Sequence, residues 1–560
     1  MNLNFVYSDA VINYSKDCIS NYFFTLTFSN SFNLNENQAL KWLKSEIQEL
    51  QDKEEKIRGK LIGISEDKKT IKKTIIVELD LPDSLLLVGE KYSIKIGSRS
   101  ISAELRKVVG NLAEFEVLNK VPSSFQSGSK VEITTNNNIL LYNLVKNYIS
   151  GIRVNELTTL LPKVEKVIDG PPGSGKTSEL AHIIRSCNDK RILVISLSNV
   201  AVDNILNRIR DLNPVKVGIK KFFDNVKYFD QVGGTIQEKI VGMTLASFAV
   251  AVQKKLVPST FDLLIIDEAS MIPFALGIFP FNFAQKVIIA GDNRQLKPIV
   301  FTTPQNTYPA WESLMKIAVS YAKNTRKYVY LNSQYRGRKD IYDIIAKAFY
   351  TDVGLQVNQY MENNYKYSRN GDIFDEILNE KCGITWVQIR GATEEWKSHS
   401  AYNKIEAAIL SLLYSRLKDN GVGDIGIITN FRAQASLMQK LVGIEASHLG
   451  FSKGDGLDYL FGEYVSTVDG FQGGEKLVVL YSMVVSKVHE SIRDFRRINV
   501  ALSRAKEKLV ILSSINDVCK LPFLCFIKSS CHKRNCYVEL DVKDLNQNSE
   551  FQAYLEKISG

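Results

Sequence analysis

The spacing of apolar positions predicts a helix near the start of the chain. Between residues 35 and 59 leucine and isoleucine recur at helical intervals, Asn35 and Gln38 are placed as a capping box, and Gly59 is placed as a stop. We expect a stalk helix of about 35 Å here. The aromatic-rich residues 1–34 are typical of strand or irregular structure, and no role is assigned to them.

The spacing then changes to alternation between apolar and polar positions. Residues 60–135 alternate, as in Thr74 to Leu79, with glycine and serine turns between the runs. This pattern predicts a small β-barrel accessory domain.

Beyond residue 136 helical segments alternate with short continuous apolar runs, such as residues 192–195, 263–266 and 425–428. Such runs are typical of strands buried on both faces of a parallel sheet. The length requires two sheets, so the fold class is α/β. We expect one domain at 136–330, a second at 331–545 and a tail at 546–560.

Composition narrows the class of protein. A chain of 560 residues is too long to fold around one hydrophobic core. Its content of 45% hydrophobic and 24% charged residues is ordinary for a soluble globular protein. A net charge of +10 favours a polyanionic partner. The chain shows neither a bilayer-spanning apolar run nor a signal-peptide start, so we expect an intracellular, cytoplasmic location, with the nucleus left open.

The seven cysteines are an odd number scattered over the chain, which argues against a disulfide framework. Four of them lie near the C-terminus around His532, at Cys519, Cys525, Cys531 and Cys536. Their spacing does not match the close pairs of metal sites, so we interpret them as packed or free thiols.

The sequence GPPGSGKT follows a predicted strand and fits the phosphate-loop pattern. Glycines let the backbone wrap closely around a polyphosphate, and the following helix points its positive end at the anion. The lysine reaches the β and γ phosphates and the threonine binds Mg²⁺. The loop consists of Gly170, Pro171, Pro172, Gly173, Ser174, Gly175, Lys176 and Thr177.

Two further motifs follow apolar strands. In LLIIDEAS, Asp267 is placed to hold Mg²⁺ and Glu268 to orient and deprotonate the attacking water. In AGDNRQLKP, Asp292 and Gln295 stand at the carboxyl end of the next strand, where α/β sheets bind ligands. Gln295 is placed to sense the γ-phosphate through water.

The ordered set GPPGSGKT, LSNVAVD, DEAS, GDNRQLKP, QYR, VDGFQGGEK and RRINVALSRAK resembles helicase superfamily 1. Within it the chain is similar to the up-frameshift-like branch, known from nonsense-mediated decay and the immunoglobulin mu-binding helicase. The resemblance covers roughly residues 166–512, and the stalk and barrel also resemble that branch.

The resemblance implies two RecA-like domains that share one ATP, with a single strand lying across both. Gln295, Tyr335 and Glu475 match nucleotide-contacting positions, Tyr335 by stacking on the base. Arg336 and Arg504 match the arginines that the second domain directs at the γ-phosphate. The implied activity is ATP-dependent 5′ to 3′ movement on single-stranded DNA or RNA with duplex unwinding, by a protein expected to be a monomer. The alternative is an ATP-gated clamp or ribonucleoprotein remodeller.

The same resemblance assigns strand contacts to small polar side chains, namely Ser198, Asn199, Thr244, Thr429 and Thr467. These side chains suit phosphate and sugar contacts. Each of these residues is also of a type preferred as a helix cap, and that alternative stays open at this point.

The chain departs from the branch in one relevant respect. No glutamine occurs between Ser127 and Gly170, whereas the branch usually carries an adenine-reading glutamine there. Strict preference for ATP among the triphosphates is therefore left open. The cysteine spacing does not support an iron–sulfur nuclease module, so we expect no cleavage of DNA.

Overall fold

The computed structural model describes most of the chain beyond residue 35. The described residues are 36–52, 56–67, 72–79, 91–109, 112–117, 121–122, 125–135, 139–151, 157–187, 189–217, 226–227, 234–258, 260–358, 364–369, 371–397, 400–443, 464–471 and 474–559. The segment 1–34 lies outside them.

The helices and strands alternate along most of the chain. The helices are α1 (Glu36–Asp52), α2 (Ile139–Gly151), α3 (Lys176–Ser186), α4 (Asn199–Arg208), α5 (Leu245–Gln253), α6 (Phe274–Gly277), α7 (Leu314–Thr325), α8 (Lys339–Phe349), α9 (Ile373–Leu378), α10 (Lys404–Asp419), α11 (Arg432–Leu441), α12 (Glu490–Arg493), α13 (Phe495–Leu502), α14 (Pro522–Lys533), α15 (Val542–Leu545) and α16 (Ser549–Ser559). The strands are β1 (Lys56–Asp67), β2 (Lys72–Leu79), β3 (Lys91–Ile96), β4 (Arg99–Val109), β5 (Leu112–Val117), β6 (Lys130–Thr135), β7 (Val164–Asp169), β8 (Ile192–Ser196), β9 (Val215–Val217), β10 (Val226–Lys227), β11 (Ile240–Thr244), β12 (Phe261–Ile266), β13 (Ala284–Gly291), β14 (Tyr328–Tyr330), β15 (Ser333–Gln334), β16 (Gln356–Val357), β17 (Ile384–Arg390), β18 (Glu395–Lys397), β19 (Ser400–Tyr402), β20 (Ile425–Thr429), β21 (Tyr464–Thr467), β22 (Lys476–Ser482), β23 (Ala505–Ser513) and β24 (Tyr537–Asp541).

The described residues fall into two compact units. One contains residues 56–136 and 334–560, and the other contains residues 28–55 and 137–333. The boundary between the units after residue 333 lies three residues beyond the predicted boundary after residue 330.

The predicted barrel is confirmed. Six antiparallel strands close in the order β1-β2-β5-β4-β3-β6 around an apolar interior. Its inward positions alternate with outward ones, as the sequence pattern requires. Gly59 lies in β1, where a Cβ would come within 2.5 Å of the Glu78 carbonyl oxygen. Glycine is therefore needed here for the close approach of two strands and does not stop a helix.

The stalk helix is shorter than predicted. It ends at Asp52, and residues 56–59 belong to β1. Its apolar stripe packs on the body of its unit: Trp42 contacts Tyr142 of α2 at 5.7 Å between ring centroids. The buried Glu46 accepts hydrogen bonds from the backbone N–H groups of Phe301 and Thr302, both at 2.8 Å. Ile57 fits a helical repeat and a strand alternation equally, which is why the boundary was placed too late.

The first α/β sheet has eight strands in the order β10-β9-β11-β8-β12-β13-β7-β14, and every described pairing in it is parallel. Alternate residues of its central strands enter two different cores. Val194 and Ile265 pack with α3 and α4, whereas Ile195 and Ile266 pack with α2, α5 and α7. Helices therefore cover both faces, which explains the continuous apolar runs.

The second sheet has six parallel strands in the order β21-β20-β22-β23-β17-β24. Residues 549–559 are not a separate tail, because α16 buries Phe551 in the core of this domain. The spacing of Phe551, Tyr554, Leu555 and Ile558 along α16 is amphipathic, and α16 packs beside α10. The two predicted α/β sheets are thus confirmed, and the second domain extends further than expected.

The interpretation of the four C-terminal cysteines as packed or free thiols is wrong for three of them, Cys519, Cys525 and Cys536. Disulfide bonds join Cys382 to Cys536 and Cys519 to Cys525. Cys187 and Cys531 are free. Pairs that are distant in sequence, such as Cys382 and Cys536, become neighbours only through the pairing of β17 with β24. Among the described helices, none combines the length and hydropathy needed to cross a membrane.

Candidate functional site

The phosphate loop joins the carboxyl end of β7 to the first turn of α3. Gly173 and Gly175 adopt left-handed backbone conformations, with φ of 75° and 87°. A Cβ at Gly170 would lie 2.6 Å from Ser174 Oγ and 3.0 Å from Leu331 Cβ. A backbone wrapped this tightly presents N–H groups to an anion, and the N-terminus of α3 adds its positive pole.

The side chains of this loop also fit a polyphosphate. Lys176 Nζ donates hydrogen bonds to the carbonyl oxygens of Gly170, at 2.6 Å, and Pro171, at 3.1 Å. Ser174 Oγ is buried and has no hydrogen-bond partner among the described residues. A buried hydroxyl without a partner is uncommon in native proteins. A ligand that brings acceptor oxygens to the loop would supply the missing partner.

The acidic pair lies directly after β12, two strands from the loop. Asp267 is 5% exposed, and its Oδ1 accepts a hydrogen bond from the Glu268 N–H at 2.9 Å. Burial, reinforced by the Glu268 carboxylate, raises the pKa of Asp267 to about 7, while Lys176 opposes the rise. Since the Lys176 charge acts on Asp267, the acidic pair lies close to the phosphate loop.

A divalent cation fits this arrangement. Buried carboxylates are stabilised by a cation, and oxygen ligands are those that Mg²⁺ prefers. Asp267 and the hydroxyl of Thr177, in the first turn of α3, would hold it. Glu268 has a left-handed backbone with φ of 56°, a strained conformation that is concentrated at functional sites in non-glycine residues.

A third group lies where β13 and β7 end beside each other. Gly291 of β13 pairs with Asp169 of β7, and the Gly291 carbonyl accepts from the Gly170 N–H at 3.1 Å. Gln295 Nε2 donates to Asp292 Oδ2 at 3.1 Å, which holds the amide at this edge of the sheet. Parallel pairing therefore brings Gln295 and the phosphate loop to one edge of the sheet.

Asp169 belongs to this group and was not predicted. It accepts hydrogen bonds from the Tyr328 hydroxyl at 2.9 Å and the Asn293 N–H at 3.3 Å. Burial and the nearby Asp292 raise its pKa, and Arg294 and Tyr328 oppose the rise. Its position immediately before the glycine-rich loop was a signal that could have identified it as a residue that positions the loop.

The unit that contains residues 334–560 brings QYR, Gly474 to Lys476 and LSRAK together in one cluster. Arg336 Nε pairs with Glu475 Oε2 at 2.8 Å, and Arg336 Nη1 donates to the Ser503 carbonyl at 3.1 Å. Lys506 Nζ pairs with the other oxygen of Glu475 at 2.8 Å. Burial would raise the pKa of Glu475, but Arg336 and Lys506 hold it at about 2. Lys506 was missed, although it stands two residues after Arg504.

Arg504 is 2% exposed and lies in the same cluster. Its Nε donates to the Val500 carbonyl at 2.9 Å, and its Nη1 donates to the Gly474 carbonyl at 3.2 Å. Tyr335, which precedes Arg336 in sequence, is 61% exposed, so its ring is free to stack on a flat ligand. Of the predicted groups of this unit, Arg336, Glu475 and Arg504 are therefore brought together, and Tyr335 presents an open face.

The predicted strand contacts of the first domain lie at the carboxyl ends of β8 and β11, which are neighbouring strands. Thr244 ends β11 in register with Ser196, and Ser198 and Asn199 follow shortly after. The Ser198 and Thr244 hydroxyls accept from Ala201 and Ser247, so both residues cap helices. The capping alternative is thus realised for these two, and their role in binding a strand stays a prediction.

The second domain repeats this layout. Thr429 and Thr467 are in register at the carboxyl ends of β20 and β21. Their hydroxyls make long contacts of 3.4 Å with the N–H groups of Phe431 and Gly470. Glu475 precedes β22 and Arg504 precedes β23, so the arginine cluster lies at the amino edge of the same sheet.

A basic hollow on the barrel was also missed from sequence. Arg58, Lys60, Lys95 and Lys130 line a hollow of about 700 Å³ on strands β1, β6 and β3. Register places Lys60 beside Lys130, and Arg58 and Lys95 on either side of Glu132. None of the four forms an ion pair with another described residue. Their scatter over separate strands hides the cluster in the sequence.

Comparison with known proteins points to one class of enzyme. Two family models described as AAA domain match residues 154–231 with 235–303, and residues 311–516. The DNA replication ATP-dependent helicase/nuclease dna2 of Schizosaccharomyces pombe is 27% identical over 388 residues, covering 63% of this chain and 26% of that protein. Human DNA2 is 28% identical over 443 residues, covering 70% and 38%.

An uncharacterized ATP-dependent helicase of Methanocaldococcus jannaschii is 26% identical over 309 residues, covering 53% of this chain and 42% of that protein. The solved complex of an arterivirus nonstructural protein 10 (helicase) with DNA is 14% identical, covers 86% of this chain and 82% of that chain, and has a TM-score of 0.42. The chain spans between about a quarter and two-fifths of the curated relatives described here.

The domain matches cover both halves of the predicted motif set. The phosphate loop and acidic pair lie in one match, and the arginine cluster lies in the other. Together with the motif order and the two parallel sheets, these matches support an ATP-hydrolysing helicase of superfamily 1.

Proposed function

We propose that this protein is an ATP-driven translocase that moves 5′ to 3′ along single-stranded DNA or RNA and unwinds duplexes. The observation that carries the proposal is the duplicated layout. Each α/β domain has one set of groups suited to a nucleotide and one set of small polar residues at the carboxyl ends of two neighbouring strands. The direction, and membership of the up-frameshift-like branch, rest on the motif resemblance.

Hydrolysis in this proposal needs groups from both domains. Lys176 binds the phosphates, and Glu268 orients and deprotonates water. Arg336 and Arg504 stabilise the charge that develops on the transferred phosphoryl group. Mg²⁺ held by Thr177 and Asp267 would neutralise phosphate charge. Since these groups are divided between the two domains, turnover requires the domains to close on the nucleotide. We call the small polar residues at the strand ends the grips, namely Ser198, Asn199 and Thr244 in the first domain and Thr429 and Thr467 in the second. Domain closure then moves the grips of one domain relative to those of the other.

The segment after Thr467 is suited to couple the two functions of the second domain. The Val468 N–H donates to the Thr429 carbonyl at 3.0 Å, and the Phe471 N–H donates to the Thr467 carbonyl at 3.0 Å. The same segment leads to Glu475, and the following Lys476 N–H donates to the Arg504 carbonyl at 2.9 Å. In this proposal, a shift of the arginine cluster on ATP hydrolysis moves the backbone at Lys476, and the segment between Thr467 and Lys476 carries that movement to Thr467.

The assignment of Glu268 as general base has a distinctive consequence. Glu268→Gln should lower kcat for ATP by about 10²-fold to 10⁴-fold, because the amide orients water but does not accept its proton. Binding of ATP and of single strands should be unchanged, so a stable ternary complex forms. Rapid-quench turnover and fluorescence anisotropy measure the two quantities. Equal turnover by Glu268→Gln and the parent would sink the assignment.

The basic hollow of the barrel is proposed to bind the phosphate backbone of the same strand. Each cation that binds a phosphate of a single strand contributes about 0.7 to the slope of log affinity against log salt concentration. Lys60→Gln with Lys130→Gln should therefore reduce this slope by about 1.4. The control removes two exposed lysines from the first domain, Lys190→Gln with Lys286→Gln. An equal loss in both double variants would show a general charge effect only.

The proposal is tested by ATP hydrolysis alone and then with single-stranded DNA or RNA of equal length, followed by strand displacement on duplexes with a 5′ or a 3′ tail. We expect stimulation, and displacement from the 5′ tail. Displacement from the 3′ tail alone would reverse the direction. Comparing ATP with GTP tests base preference, which the missing upstream glutamine leaves open.

An ATP-gated clamp is the second candidate, since it would use every group described above. Stimulated hydrolysis without displacement from either tail would favour it. The helicase/nuclease names of the relatives do not extend to nuclease activity here, because this chain matches 26% of the S. pombe protein and 38% of the human protein.

A further inference from the structure

Three aromatic rings form a cluster in the second domain that the proposed mechanism does not use. The ring centroids of Trp396 and Phe431 are 5.7 Å apart, those of Trp396 and His489 are 5.3 Å apart, and those of Phe431 and His489 are 5.5 Å apart. Mutual contact of three rings restricts rotation of each of them. Trp396 is nevertheless 51% exposed, so one part of its surface is held open to solvent.

The position of the cluster links it to the grips. Phe431 follows Thr429 by two residues at the carboxyl end of β20 and is the N-cap residue of α11. Trp396 lies on β18, which pairs with β19 as a hairpin. The Ser400 hydroxyl in that hairpin accepts from the Ala433 N–H in the first turn of α11 at 3.0 Å. The hairpin is thereby attached beside Thr429 and its partner Thr467.

The surroundings are suited to an anion. The positive end of α11, a helix of ten residues, lies at Phe431, and the Ser400 hydroxyl of the hairpin caps it by accepting from the Ala433 N–H. Of the two carboxylates that precede Trp396, Glu395 is paired with Lys404 at 2.9 Å, and Glu394 is acted on by the charge of Lys487, which is exposed. His489 is the N-cap residue of α12, and its Nδ1 accepts from the Ser491 N–H at 3.1 Å. This hydrogen bond fixes the imidazole ring within the cluster. An aromatic face beside positive charge is the combination that binds single-stranded nucleic acid.

We propose that Trp396, supported by Phe431 and His489, is a platform on which one unpaired base stacks while the adjoining backbone lies at Thr429 and Thr467. The inference rests on the proposed function, since it places a specific base contact on the strand that the helicase grips. Stacking is tolerant of sequence because every base has a π-face. The platform therefore adds affinity without base preference.

The four tryptophans offer a direct measurement. Trp42 and Trp386 are fully buried, and Trp311 is partly buried in the other unit. A base stacked on Trp396 should quench the intrinsic tryptophan fluorescence of the 560-residue protein when oligo-dT is added. The quench should persist in Trp311→Phe and disappear in Trp396→Phe. Quenching that survives in Trp396→Phe would overturn the inference.

Affinity gives a second, independent readout. Trp396→Ala should weaken binding of oligo-dT by about 10-fold to 100-fold, the range of one lost stacking contact. Binding of an abasic oligomer of equal length should change less than about twofold, because it has no base to stack. Trp396→Tyr should restore most of the lost affinity. Equal weakening of binding for both oligomers would overturn the platform. Unchanged binding of oligo-dT by variants whose melting temperature is also unchanged would overturn it as well.

The two proposals fail in different ways. If oligo-dT stimulates ATP hydrolysis but neither quenches Trp396 nor discriminates the variants, the translocase proposal stands and the platform is wrong. If oligo-dT and its RNA counterpart neither bind nor stimulate the parent protein, the proposed function fails first. Circular dichroism of each variant shows whether the fold is kept. Weaker binding by a folded variant reports loss of stacking, whereas an altered spectrum reports damage to the structure around the ring cluster.

Discussion

Lys176→Ala should lower kcat/KM for ATP by more than about 10⁴-fold. The ammonium is bound by the carbonyls of Gly170 and Pro171 inside the phosphate loop and acts electrostatically on Asp267. Losing charge-assisted hydrogen bonds to the phosphates weakens binding by about 10²-fold. Losing a donor to the charge that develops in the transition state lowers the rate by a further 10² to 10³. Steady-state hydrolysis with saturating single strand measures the product of the two.

Lys166→Ala is the matched control. Lys166 lies on β7, directly before the loop, and pairs with Glu179 of α3 at 2.7 Å, with both side chains about one-third exposed. An ion pair of this exposure contributes little to stability. The control should therefore keep its rate within about twofold. Comparable losses in both variants would show that the region tolerates no substitution and that Lys176 has no special role.

Arg336→Lys should lower kcat by about 10³-fold or more, the range for an arginine that stabilises phosphoryl transfer. The substitution keeps a positive charge beside Glu475 but removes the planar fork that pairs Nε with Glu475 and Nη1 with the Ser503 carbonyl. ATP affinity should change far less than kcat, because the arginine acts on the transition state. Single-turnover kinetics and equilibrium ATP binding separate these effects.

Arg338→Lys is the control for this variant. Arg338 stands two residues away and binds Asp340 and the carbonyls of Glu380 and Lys381, within one domain. Its replacement should lower the melting temperature without selectively lowering kcat. If Arg336→Lys turns over ATP at the parent rate while folding normally, the arginine does not reach the phosphate and the proposed closure of the two domains is wrong.

The phosphate loop, the acidic pair and the alternation of helices with buried strands could be predicted from the sequence because they are local. Gly173 and Gly175 are needed where φ is positive, and Lys176 begins the helix that follows. A continuous apolar run such as residues 263–266 indicates that both faces of its strand are buried. Period and residue type carry this information over short distances, before any long-range contact is known.

Three features were misjudged or missed because they depend on neighbours that are distant in sequence. Ile57 fits two periods, and only the pairing of β1 with β2 and β6 places it in a strand. Cys382 and Cys536 become partners through β17 and β24. The barrel cations come from three strands, and register alone places Lys60 beside Lys130.

The sequence by itself therefore determined the chemistry available to this protein, since each motif is a short segment whose backbone and side chains suit one ligand. Only the tertiary structure decided which of these segments share a surface. Parallel register puts Asp169, Asp267 and Gln295 at one edge of the first sheet, and it puts Thr429 and the arginine cluster at opposite edges of the second. Register depends on the packing of whole helices against whole sheets, which no single segment encodes.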